Sequence, residues 1–130
     1  MRAGPAGEDC CHNARLIGRS GLATGTVIPV PYDFDFSGFV SAPYATPPDV
    51  LHINSVRQRV YRGYCMHNRD AALVAAQMRA ARPQLMATIA ATPGLNDKAR
   101  ARASDFINQF FALIATDADT DAKVLKRCLG

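Results

Sequence analysis

Pro29 and Pro31 sit inside the clearest strand signal of this chain, the run from Thr26 to Phe36. Proline has no N–H to donate, and amides two apart on a strand face the same side, so both missing donors fall on one edge. Such a strand pairs fully on one side only. The sequence therefore predicts a two-stranded ribbon and not the centre of a large sheet. Its partner is the short run Ala14 to Ile17, closed by Gly18, with Arg19 to Gly25 as the hairpin loop.

The returning strand ends in Pro31-Tyr32-Asp33-Phe34-Asp35-Phe36-Ser37-Gly38. In an extended chain Asp33 and Asp35 share one face, and Tyr32, Phe34 and Phe36 share the other. The aromatic row can seal a core. The two carboxylates, about 7 Å apart from the strand rise, repel each other unless water or a cation screens them. A cation site and a solvated outer face are the two readings of this pattern.

Beyond Gly38 the chain is irregular. Pro43, Pro47 and Pro48 hold Ser41 to Asp49 in extended or turn geometry, and a loop this long in a small protein is usually functional or packed over a site. Ser55 can cap a short helical turn through Val56 to Tyr61, ending at Gly63. Arg57, Arg59 and Arg62 fall within six residues. They are candidate phosphate contacts, since guanidinium groups are planar and carry several donors; the plainer reading is a solvated basic turn pairing with Asp33, Asp35 or Asp49.

The second half reads as helix. Asp70 opens a helix through Leu73, Ala76, Met78 and Ala80, with Pro83 kinking it or starting a new segment that carries Leu85, Met86 and Ile89. Thr92-Pro93-Gly94 stops it. A second helix opens at Asn96 or Asp97 and repeats apolar residues at Ala103, Phe106, Ile107, Phe110, Phe111, Leu113 and Ile114, a stripe that must be buried. A last helix spans about Thr120 to Cys128. The fold class is α+β, mainly α: a β-hairpin and a long proline-rich loop packed on three or four helices.

With 130 residues the chain has the size of one domain, and 48% apolar content is enough for it to fold. The net charge of +4 comes from twelve Arg and three Lys, scattered from Arg2 to Arg127 and not gathered into a stripe, which argues against a nucleic-acid partner. No run approaches the roughly 20 apolar residues of a membrane span, and Met1 to Asp9 lack the apolar core of a signal peptide. No membrane partner is expected. The polar start runs straight into Cys10-Cys11-His12-Asn13, as in a chain cut from a longer one. The expected layout is one domain, the C-terminal fragment of a longer protein: loop 1–13, hairpin 14–36, loop and short helix 37–69, helices 70–128. Any export signal would then lie upstream of Met1, and the compartment stays open.

The four cysteines, Cys10, Cys11, Cys65 and Cys128, permit three full pairings. Adjacent cysteines rarely bridge each other, so Cys65 pairs with Cys128 or with one of the first two, or the thiols stay free. A zinc set of Cys10, Cys11, His12, Cys65 and His67 lacks the two-residue gap that lets one turn present two ligands.

A hairpin returns its second end to its first, which brings Asn13 beside Asp33. Asn and Asp at the open ends of one hairpin match the way kinase-type sites hold magnesium, and oxygen ligands with several waters suit that ion.

The runs Cys11 to Gly18, Ile28 to Ala45 with its Pro-Tyr-Asp-Phe-Asp-Phe-Ser-Gly segment, and Ser55 to Gly63 resemble the C-terminal part of a group of uncharacterised bacterial proteins. In that group the matching stretch follows a Gly-Asn-Thr-Asp segment within a longer protein. The order of Asn, hairpin and Tyr-Asp is also similar in outline to the C-terminal lobe of atypical kinases of the CotH-like and HipA-like types. This second likeness implies a kinase-like phosphotransferase in the full-length form, with Asn13, Asp33 and Asp35 as Mg2+ ligands, His12 positioning the loop, ATP as the nucleotide and an upstream lobe as partner. The chain departs from the kinase pattern by having no glycine-rich cover, no strand lysine and no upstream catalytic aspartate. The implied magnesium site is partial, and the isolated chain is expected to be inactive. The alternative is a non-catalytic helical binding or structural module.

Overall fold

In a computed structural model, residues 14–17, 28–40 and 42–130 are described. The chain divides into two compact units, one ending at Thr46 and one running from Pro47 to Gly130.

In the first unit β1 (Ala14–Ile17) and β2 (Ile28–Pro31) form an antiparallel pair, with Ala14 opposite Pro31 and Ile17 opposite Ile28. Among the described residues this sheet has two strands, as the two prolines on one edge of β2 require. The strand stops at Pro31 and does not reach Phe36. Asp33 adopts a left-handed backbone with φ 56°, and Asp35–Ser37 form a 3-10 turn ended by Gly38 at φ 76°. Aspartate is one of the few side-chain-bearing residues that visits this region readily, and glycine does so freely. The turn overrides the alternating pattern, so Asp33 and Asp35 do not lie on one strand face. The aromatic row seals no core either: Tyr32, Phe34 and Phe36 remain about half exposed.

The second unit opens with single turns at Asp49–Leu51 and at Ser55 to Gln58, where the Gln58 amide donates to the Ser55 carbonyl at 3.0 Å. The helical turn expected through Tyr61 is only this one turn, which the Ser55 hydroxyl steadies by accepting from the Arg57 amide at 3.1 Å. A 3-10 turn at Cys65–His67 leads into α1 (Asn68–Ala91), followed by α2 (Asp97–Leu113), α3 (Asp117–Lys123) and a closing 3-10 turn at Leu125–Arg127. Helix α1 starts two residues before Asp70, which lies in its first turn where a carboxylate favours the helix dipole. It continues through Pro83 without interruption. Asn96 caps α2 by accepting from the Ala99 amide at 2.8 Å. Thr116 does the same for α3 by accepting from the Asp119 amide at 3.0 Å, so α3 begins three residues before Thr120 and is already over at Lys123.

The core lies where α1, α2 and the C-terminal turn meet. Ala75, Phe111 and Ile114 form its centre, with Met78, Ile107, Phe110, Leu113 and Val124 packed around them. The α2 stripe is buried as the periodicity requires. In α1 the buried face matches the expected positions in part, at Ile89 and at Met78, which packs on the core. Leu73 is exposed, and Ala75 and Ile89 are the buried positions.

Arginines tie the helices together through backbone carbonyls. Arg100 donates to the carbonyls of Ile89 (2.7 Å), Ala90 and Leu95 (2.9 Å) and so closes the corner between α1 and α2. Carbonyls at a helix C-terminus have no partner within the helix, and a cation there also meets the negative end of the dipole. Arg79 reaches from α1 to the Ile114 carbonyl and the Thr120 hydroxyl, each at 3.2 Å, and pairs with Asp117.

Cys65 and Cys128 form a disulfide, with Cα atoms 5.0 Å apart across 63 positions of sequence. Beside it the segments around Tyr64 and Leu129 pair in parallel. The Cys65 amide donates to the Leu129 carbonyl and the Leu129 amide to the Gly63 carbonyl, both at 2.9 Å. Closing a loop of this length lowers the entropy of the unfolded chain by an amount worth about 4 kcal/mol in the chain-entropy account.

Candidate functional site

Of the acidic pair of the first unit, Asp33 stands just before the 3-10 turn in a left-handed conformation, and Asp35 opens that turn. The Tyr44 hydroxyl donates to Asp35 Oδ2, and its ring packs edge-on against Phe36 with centroids 6.2 Å apart. The hydrogen bond to Asp35 raises the Tyr44 pKa above the usual phenol range, with lesser contributions from desolvation and the charges of Asp35 and Asp33. Tyr44 is thus a member of this cluster that sequence reasoning missed; its nine-residue distance from Asp35, across Pro43, carries no periodic signal.

Asn13 and His12, the other expected members of the magnesium site, lie outside the described residues. Oxygen donors such as the two carboxylates suit magnesium in kind. Among the described residues no group of three or more His, Cys, Asp or Glu is placed to hold a metal. The described members of the zinc set, Cys65 and His67, are likewise not so placed, and the Cys65 sulfur is in the disulfide.

Arg57 and Arg59 are brought to one aromatic ring. Their guanidinium carbons lie 4.7 and 3.9 Å from the centroid of Phe106, and Arg59 also donates to the Phe106 carbonyl. Phe106 is buried on α2, so these cation–π contacts are partly shielded from water and fasten the segment after Ser55 onto the helix. Burial lowers the Arg59 pKa, and the neighbouring charge of Arg57 adds to the effect. Arg62 is exposed.

Arg59 also borders the cleft of the helical unit, a space of about 340 Å³. Arg59, Val60 and Tyr61 contribute to it from the segment before the disulfide. Phe110 and Leu113 contribute from α2, and Lys123, Val124 and Arg127 from the end of the chain. Its lining is apolar side chains, one phenol and three cations, with no carboxylate. Lys123 is already engaged, its ammonium lying 2.7 Å from Asp119 and 3.1 Å from the Ala112 carbonyl. That contact, followed by the hydrogen bond from Thr116, holds the Asp119 carboxyl below the usual range. The Arg127 guanidinium has no hydrogen-bond or ion-pair partner among the described residues.

Two lining segments more than 60 residues apart in sequence meet here because the disulfide and the Gly63–Leu129 pairing join the chain just beyond each of them. A signal for this was present in the sequence, since pairing Cys65 with Cys128 brings Arg127 to the neighbourhood of Arg59. It was one of several pairings and could not be chosen locally. Comparison with protein-family models, with curated proteins and with solved structures finds no match for this chain.

Proposed function

We propose that this chain is a non-catalytic helical binding module, stapled by Cys65–Cys128, whose working surface is the cleft beside Arg59 and Arg127. The observation that carries this reading is the make-up of the cleft lining. It offers mostly apolar surface with cationic donors at its border, and its one amine, Lys123, is held by Asp119 and the Ala112 carbonyl. Concave, mostly apolar sites with a few polar groups are the usual form of small-molecule binding sites. The test is an amide NMR screen of the whole, oxidised chain against a chemically mixed fragment library. Fragments that bind should shift the amides of Val60, Tyr61, Val124 and Arg127 together. Hits that map only to other surfaces would remove the reading.

A second reading, the C-terminal lobe of a kinase-like phosphotransferase, is supported by one feature: Asp35 accepts from the Tyr44 hydroxyl, and the charge of Asp33 acts on the same phenol. There Asn13, Asp33 and Asp35 would be the oxygen ligands of Mg2+. Calorimetric titration with Mg2+ decides it. Binding that Asp33→Ala abolishes supports this reading, and no binding in a longer protein that includes the upstream lobe rejects it.

A further inference from the structure

The ligand class of the cleft can be read from what its lining leaves unsatisfied. Val60, Phe110, Leu113 and Val124 present apolar surface, which favours an apolar body. Of the three cations at its border, Lys123 is shared with Asp119, and Arg59 lies over the Phe106 ring while donating to its carbonyl. Arg127 is exposed, its side chain without a partner among the described residues, and its guanidinium fork matches a carboxylate or phosphate in two-pronged geometry. No carboxylate lines the space to repel such a head. The volume, about 340 Å³, is at the small end for ligand sites, so the ligand is short.

We infer that this cleft takes a short single-chain amphiphile with an anionic head, a carboxylate or phosphate set against Arg127 and an alkyl body over Val60, Phe110, Leu113 and Val124. The inference rests on the reading of the chain as a binding module and names the ligand class of that site. A cationic amphiphile would meet three like charges, and a neutral one would gain nothing from Arg127.

The test is titration of the isotope-labelled, oxidised chain with octanoate, octyl phosphate, octanol and octylammonium, followed by amide NMR. Octanoate and octyl phosphate should shift Val60, Tyr61, Val124 and Arg127, with octanol weaker by about tenfold, one decade in the dissociation constant, and octylammonium weaker still. The ratio of the first two distinguishes a carboxylate source from a phosphate source. Arg127→Gln should weaken octanoate severalfold and leave octanol unchanged, while Lys126→Gln, whose residue pairs with Asp121 at 3.2 Å and does not line the cleft, should change neither. Octanol binding as tightly as octanoate, or an Arg127→Gln variant that binds octanoate normally, overturns the anionic class but leaves the cleft a binding surface. Cleft amides that move with none of the four amphiphiles overturn the inference, while the fragment screen separately decides the binding-module reading.

Discussion

In the hairpin unit the aromatic side chains stand largely in solvent, Phe34 at 53% exposure and Tyr44 at 61%, whereas in the helical unit Phe111 is 3% exposed. The hairpin side is organised by backbone devices: prolines that set its edge, a left-handed aspartate, a glycine that ends a turn, and one phenol on one carboxylate. The helical side is organised by burial, by arginines on carbonyls and by a covalent staple. Local devices specify conformation and contribute little stability, because each removes little apolar surface from water. A buried cluster does the reverse, stabilising strongly while depending on residues far apart in sequence.

The largest effect should come from the staple. Reducing Cys65–Cys128, or replacing both with Ser, should lower the stability of the helical unit by about 4 kcal/mol, read by urea unfolding with and without reductant. A loss under about 1 kcal/mol would mean that the staple constrains the unfolded chain far less than its loop length implies.

A matched pair of phenylalanines sharpens the contrast. Phe111→Ala should cost about 3 kcal/mol, as large-to-small changes in a core do, and Phe34→Ala less than about 1 kcal/mol, as exposed positions do. Equal losses would mean that Phe34 is buried in solution. Between these two values, Arg79→Leu leaves the Ile114 carbonyl and the Thr120 hydroxyl short of a donor near the core and should cost about 2 kcal/mol by thermal melting. No loss would show that water replaces the guanidinium there.

The pH dependence should be weakest and opposite in the two units. The Asp119 pKa is depressed by Lys123 and then Thr116, so its contribution is complete above the ordinary aspartate pKa of about 3.9 and is lost as pH falls through the depressed value. Asp119→Asn should remove that acid limb from the α3 amide shifts; an unchanged limb would assign it elsewhere. The Tyr44 pKa is raised, so its contribution is complete below the ordinary tyrosine pKa of about 10 and is lost as pH rises through the raised value. The Tyr44 ring should therefore titrate at higher pH in the native chain than in Asp35→Asn. Identical midpoints would mean that the Tyr44–Asp35 hydrogen bond is not formed.

The helices that could be read from the sequence were those with strong local signals. The α2 stripe from Ala103 to Ile114 has one apolar face, Asn96 is a capping residue, and Thr92-Pro93-Gly94 cannot continue a helix. Helix α1 was legible as a helix but its buried side only in part. Alanine, leucine and valine occur all round it, and only the approach of α2 decides that Ala75 is covered and Leu73 left exposed. The candidate acidic site was read from an alternation that holds only while the backbone stays extended. Beyond Pro31 it does not, and the turn sets Asp33 and Asp35 differently.

Pro29 and Pro31 dictate the two-stranded ribbon seen among the described residues, because they remove donors wherever the strand lies, and local interactions within one turn dictate the caps and stripe of α2. Which cysteines pair, which positions of α1 are covered, and the meeting of Arg59 and Arg127 at one cleft follow from packing alone. Each of those depends on contacts across tens of residues, as between Cys65 and Cys128 or Arg59 and Phe106, and no local pattern encodes which distant residue will arrive.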